Sequence, residues 1–216
     1  MKLILIAVAA IAFAAAALPA AEKRFLIATG PGSGDGLTEG EFTLLDSGEP
    51  APQDTRVAVR YTDAALLIDF SCAESAMDSV KTSKTTRDDA ELWQDDSVGI
   101  FLSPDPAKGY IHLMITPAGV ILDEKSSPGG KRDRSFDIAG LQLSMSRGEA
   151  GWGASVTIPY AGLGCGPPQS GSEWGFNATR SQPGPSINSS WSPLSMGTFH
   201  APTEFGVLRF DAGAAP

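Results

Sequence analysis

The chain is poor in cysteine, histidine and positive charge, and each shortage excludes something. Of 216 residues only two are cysteine, Cys72 and Cys165, and two are histidine, His112 and His200. Two thiols cannot close a four-ligand structural zinc site, and the histidines show no metal-ligand spacing to the cysteines or to each other. Lys and Arg number 16 against 25 Asp and Glu, for a formal charge of −9. Nucleic acid is disfavoured as a partner, because phosphate binding needs a basic surface. The one basic cluster, Lys131-Arg132-Asp133-Arg134, is interrupted by an acid, follows Gly129-Gly130 and reads as a solvated loop. A long amphipathic helix period is missing. No nucleophile elbow is present, and no motif selects a carboxyl pair for glycoside chemistry, so the chain does not read as an enzyme.

Long apolar runs are missing too, with one exception. Lys2 supplies a positive start, Leu3 to Ala17 is apolar, and Leu18-Pro19-Ala20-Ala21 offers a turn and small residues. That pattern predicts a cleaved signal peptide over 1–21 and a single domain over 22–216. The run is short for a bilayer span of ~20 residues, so the mature protein is expected to be secreted or periplasmic, without a membrane anchor. Outside the cytoplasm Cys72 and Cys165 become a disulfide candidate, with two separate buried thiols as the other possibility.

What is present in quantity is glycine and proline, 24 and 16 residues, set between short alternating runs. Thr55 to Tyr61 alternates Val57, Val59 and Tyr61 against Arg56, Ala58 and Arg60, and Ala65 to Cys72 returns as a hairpin partner. Strands are further expected at 24–29, 41–45, 98–102, 110–116, 120–123, 141–147, 152–158, 172–179 and 204–210. Gly30 to Gly36 lacks the Lys-Ser/Thr pair and the helix of a phosphate loop. Residues 73–90 form a long polar loop that leads into Trp93 and is expected to shape a binding mouth. The fold class expected is all-β: an antiparallel, two-sheet, jelly-roll-like β-sandwich.

Three ordered blocks carry a family resemblance. The first is Trp93-Gln94-Asp95-Asp96-Ser97-Val98, then Ile100-Phe101-Leu102. The second is Gly151-Trp152 through Pro159-Tyr160, with Trp174-Gly175-Phe176-Asn177 and Arg180. The third is Ser190-Trp191-Ser192-Pro193, then Phe199-His200, Pro202 and Phe205-Gly206. Together they resemble the family 9 carbohydrate-binding modules, whose fold is a two-sheet β-sandwich.

The resemblance implies an oligo- or polysaccharide ligand stacked between Trp93 and Trp191, gripped by Asn188, and possible recruitment by a glycoside hydrolase. Indole faces suit the C–H faces of a pyranose, while hydroxyls need polar partners at the ring edge. The carboxylate such members carry two residues after Ser97 is replaced by Gly99, and the strand from Tyr110 lacks their arginine. His112 is the candidate on that strand. Asp95 and Asp96 could bind a structural Ca2+ with backbone carbonyls, or cap the loop and pair with Arg180. Trp152 and Trp174 belong on strands, in the core or on a sheet face, while Asn177 and Arg180 hold structure. Two other readings stay open: a haem-binding redox domain of the wider superfamily, with His112, Met114, Met77, Met145 and His200 as possible ligands, and an envelope domain without a ligand.

Overall fold

The computed structural model describes residues 23–30, 37–38 and 42–211. The expected signal peptide and most of the Gly30–Gly36 loop lie outside them. Fourteen strands are described. In chain order they are β1 (Phe25–Thr29), β2 (Leu37–Thr38), β3 (Thr43–Leu44), β4 (Thr55–Tyr61), β5 (Ala65–Ala73), β6 (Ser97–Ser103) and β7 (Tyr110–Ile115), followed by β8 (Ile121–Ser126), β9 (Arg132–Asp133), β10 (Gln142–Gly148), β11 (Gly151–Pro159), β12 (Glu173–Gln182), β13 (Ile187–Ser190) and β14 (Gly206–Asp211). Among the described residues there is one α-helix, α1 (Tyr160–Leu163), closed by Gly164 in a left-handed conformation.

The main sheet runs β10-β11-β5-β4-β1-β14-β12-β6-β7-β8-β9, with β2, β3 and β13 as short side branches. It curls on itself, so β10 to β4 form one layer and β14 to β9 the other. β1 joins the layers and lies parallel to both β4 and β14. The expectation of a purely antiparallel pair of sheets is corrected here: the sheet is mixed and continuous. The long-range pairing of β1 with β14 is the reason, and no local turn signal announces it.

Alternation decides what fills the gap between the layers. Val57, Val59, Leu66, Ile68, Phe70, Ala154, Val156 and Ile158 point inward from the first layer. Val98, Ile100, Leu102, Ile111, Leu113, Ile115, Phe176, Ala178, Leu208 and Phe210 meet them from the second. Each such large side chain contributes about 1.5–3 kcal/mol on burial. Trp152 and Trp174 join this core, as their strand positions imply.

Cys72 and Cys165 are free thiols, which corrects the disulfide candidate. Their places in the fold explain why. β5 pairs antiparallel with β11, so Ala65 sits beside Pro159 and Ala73 beside Gly151. Cys165 follows α1 at the Ala65 end, whereas Cys72 lies seven residues along the strand, about 23 Å at ~3.3 Å per residue. A bridge needs Cα atoms within ~7 Å.

Not every inward position is apolar. Arg180, on β12, is buried and its guanidinium meets Glu74 at 3.1 Å and Thr55 Oγ1 at 3.1 Å. Glu74 also accepts from Gln53, Gln182 and the Ala76 N–H. Burial pushes the Glu74 carboxyl up, but these hydrogen bonds and Arg180 outweigh it and hold the group below its ordinary value.

Candidate functional site

The outward face of the second layer is where the polar side chains collect. Register sets its membership. On β6, Gly99 lies opposite Thr179 on one side and Met114 on the other, and Phe101 lies opposite Asn177 and His112. On β8, Glu124 stands directly across from His112. The segment between β13 and β14 folds over part of this face and brings Phe199, His200 and Phe205 onto it. Every residue of β6 is buried as a result, on both faces.

What stays open is a cavity of about 380 Å³ lined by Trp93, Ser97, Gly99, His112, Met114 and Thr179, and closed by Ser181, Pro183, Ser186, Asn188, Phe199 and His200. A second hollow of about 280 Å³, under Leu44, Leu45 and Asp46, shares Ser186 and Asn188 with it. Trp93, in a short 3-10 turn over Leu92–Gln94, is 61 % exposed, a large apolar ring left in water. Asn188 Oδ1 accepts from Ser181 Oγ at 2.8 Å, which turns its amide N–H groups away from Ser181. No carboxylate lines the cavity among the described residues.

Gly99 opens the cavity floor. A Cβ there would collide with Thr179 Oγ1 and stand 3.5 Å from His112 Nε2. The imidazole of His112 is held from two sides. Phe101 stacks on it at 4.2 Å between centroids, and Nδ1 donates to Glu124 Oε1 at 3.3 Å. Burial alone would raise the Glu124 carboxyl, but the His112 hydrogen bond and the charge of Arg132 bring it down to about 2. An ionised carboxylate can only accept, so the His112 proton facing it sits on Nδ1 and Nε2 faces the cavity. His200 meets Tyr110 Oη through Nδ1 at 2.8 Å. Burial lowers its pKa to about 4, so its ring is neutral at neutral pH.

The fold therefore brings Trp93, Asn188 and His112 to one cavity. Trp191 is not there, and its expected stacking role is corrected. It is 2 % exposed, packs on Phe176 at 5.6 Å and leans on Gly206, where no Cβ would fit. Its backbone N–H donates to Ala178 O, which carries the β13–β12 pairing one residue further and turns the indole inward. The second aromatic on the cavity wall is Phe199.

Asp95 and Asp96 are buried and bind the loop before them. Asp95 accepts from Ser83 Oγ and the Lys84 N–H, both at 2.7 Å, and Asp96 from the Lys81 N–H at 2.9 Å. These bonds hold Asp95 below its ordinary pKa despite burial. Asp95 thus gives both carboxylate oxygens, and Asp96 one, to donors of this loop. The expected pairing with Arg180 is replaced by Glu74. Residues 73–90 are thus pinned along the sandwich, and none of them lines the cavity, contrary to the expected binding mouth. A second cluster, Asp88, Asp123 and Asp137, is bridged by the Arg87 guanidinium.

Of the haem candidates, Met77 and Met145 pack against the core. His112 and His200 are in direct edge-to-face contact, 5.1 Å between centroids, which leaves no slot for a flat macrocycle between them.

No protein-family model matches the chain, and no curated protein matches it. Solved structures do, and they define a class: the fold is like that of the family 9 carbohydrate-binding modules. A candidate carbohydrate-binding protein from Bacteroides uniformis superposes with a TM-score of 0.72 at 18 % identity, over 88 % of this chain and 100 % of the other. A family 9 module from Caldicellulosiruptor kristjanssonii, solved with glucose, gives 0.64 at 12 % identity over 89 % and 98 %. A structure of such a module from the same organism with cellotriose gives 0.62. At these identities the likeness concerns the fold.

Proposed function

We propose that this is an exported, non-catalytic saccharide-binding protein whose ligand lies in the cavity beside Trp93. The observation that carries the reading is that exposed indole, set at the edge of a hollow lined by Ser97, Thr179, Ser181, Asn188 and the Nε2 edge of His112. A pyranose packs its C–H face on an aromatic and needs donors and acceptors around its rim. Trp93 is the platform, Phe199 an apolar wall, and Asn188 and His112 the polar grip. Neighbouring folds solved with glucose and cellotriose support a saccharide ligand. Neighbouring folds whose names give them as carbohydrate-binding proteins or modules support binding over hydrolysis.

Isothermal titration of the purified protein with glucose, cellobiose, cellotriose and xylobiose tests the reading, with Trp93→Ala as control. An affinity reduced on the order of tenfold in the variant is expected. Folded protein that takes up none of these sugars would overturn it.

A further inference from the structure

The chain has only two histidines, 88 positions apart in sequence, and the fold delivers both to one buried carboxylate. His112 Nδ1 lies 3.3 Å from Glu124 Oε1 and His200 Nε2 lies 3.9 Å from the same oxygen. One donor atom from each of the three lies within 4.8 Å of the other two. We propose that His112, Glu124 and His200 form a site for a divalent first-row transition metal of the zinc type, behind the floor of the cavity. This does not depend on the saccharide reading.

The donor chemistry selects the ion. Two imidazoles and one carboxylate suit zinc, copper or nickel, while calcium and magnesium prefer oxygen alone. Ligand atoms ~2.1 Å from a tetrahedral ion stand about 3.4 Å apart. The His112–Glu124 pair already has that spacing, and His200, partly exposed on a loop, lies about half an ångström too far from Glu124. The rings are also fixed from behind. Phe101 stacks on His112, and Tyr110 Oη holds His200 Nδ1, leaving Nε2 toward Glu124. Such outer partners are what orient metal-binding histidines.

Arg132 and Arg134 are the competing cations. They reach Glu124 at 3.4 Å on Oε1 and 3.3 Å on Oε2, and both are nearly half exposed. Tight charge-assisted bonds run ~2.7–2.9 Å, so neither is firmly held. A metal between the imidazoles displaces Arg132 from Oε1 and leaves Arg134 on Oε2 as an outer partner. As the ion arrives at Nδ1 of His112, the proton of the neutral ring moves to Nε2, on the cavity side.

The test is titration of the purified, tag-free chain with Zn2+, followed by calorimetry, and with Cu2+, followed by electron paramagnetic resonance. One ion per chain is expected, with affinity falling at least about tenfold in His200→Ala and in Glu124→Gln. Arg132→Gln, which frees Oε1, should bind more tightly; weaker binding there would mean that the ion sits elsewhere. The Cu2+ spectrum of the unaltered chain should carry hyperfine structure from two imidazoles, and it needs no variant to fold. With two histidines in the sequence that signature has one possible source. No saturable uptake, one imidazole or none, or undiminished uptake in His200→Ala would overturn the site.

Discussion

The two layers of this sandwich have opposite outer faces. On the first, β10 runs nearly all exposed, and the outward residues of β4 and β5 include Arg56, Arg60, Asp69 and Ser71. Their ion pairs are solvent-facing: Arg60 meets Asp69 at 2.6 Å with both side chains a third or more exposed. On the second, Phe101, His112, Glu124, Asn177 and Thr179 are all buried under the segment between β13 and β14. The sandwich needs both inner faces. Only one outer face has been covered with aromatic and hydrogen-bonding groups, and that is where a cavity forms. Polar groups in a dry place are costly unless each has a partner, so their concentration there marks a site more clearly than their number.

Four substitutions probe that contrast. Trp191→Ala should have the largest effect on stability, about 3–5 kcal/mol by urea denaturation, because it leaves a hole between Phe176 and Gly206. A loss within ~0.5 kcal/mol would mean that the indole is not a core residue. Glu74→Gln should cost a similar ~3–5 kcal/mol at neutral pH, since it strands the buried Arg180. In the unaltered protein the same contribution follows pH. The folded Glu74 carboxyl titrates below its ordinary 4.5, so its stabilisation is complete above that value and fades as pH falls through the lower folded one. Denaturation midpoints in urea at pH 7 and pH 3 should therefore converge for Glu74→Gln relative to the parent, and parallel curves would count against the pair.

Trp93→Ala should do the reverse of Trp191→Ala. Its stability change should stay within ~0.5 kcal/mol, while saccharide affinity falls on the order of tenfold, as for a stacking anchor. Arg60→Ala, on the uncovered face, should change stability by no more than ~0.5 kcal/mol and leave titration with sugar and metal alike. An effect of Arg60→Ala on either ligand would show that the two faces are coupled.

Most of the strands could be read from alternation, and Thr55–Tyr61 was legible to the residue. Nearest-neighbour pairings are local, and turn residues such as Gly119 and Gly151 announce them. The seat of β1 was not legible, because its partners Val207 to Asp211 lie at the other end of the chain. The strand Ile187–Ser190 was hidden in a Ser/Pro/Asn-rich stretch, and that concealed the inward turn of Trp191 just after it. Trp93, beside irregular chain, gave the same local signal as Trp191 but took the opposite environment. Glu124 was missed because the expected strand ended at Asp123. An acid directly across from a strand histidine was the available clue, and it needed the β7–β8 register to be seen.

The parallel seat of β1 also sets a timetable. Phe25 to Thr29 is made early, yet its partner along its full length is β14, the last strand described. Until β14 arrives, the long edge of β1 and the Glu173–Phe176 edge of β12 stand open, and β1 cannot latch one layer to the other. Contacts of such sequence separation form slowly, and unpaired edges are where chains aggregate. The slow step expected in refolding is therefore the docking of Gly206–Asp211 on Phe25–Thr29.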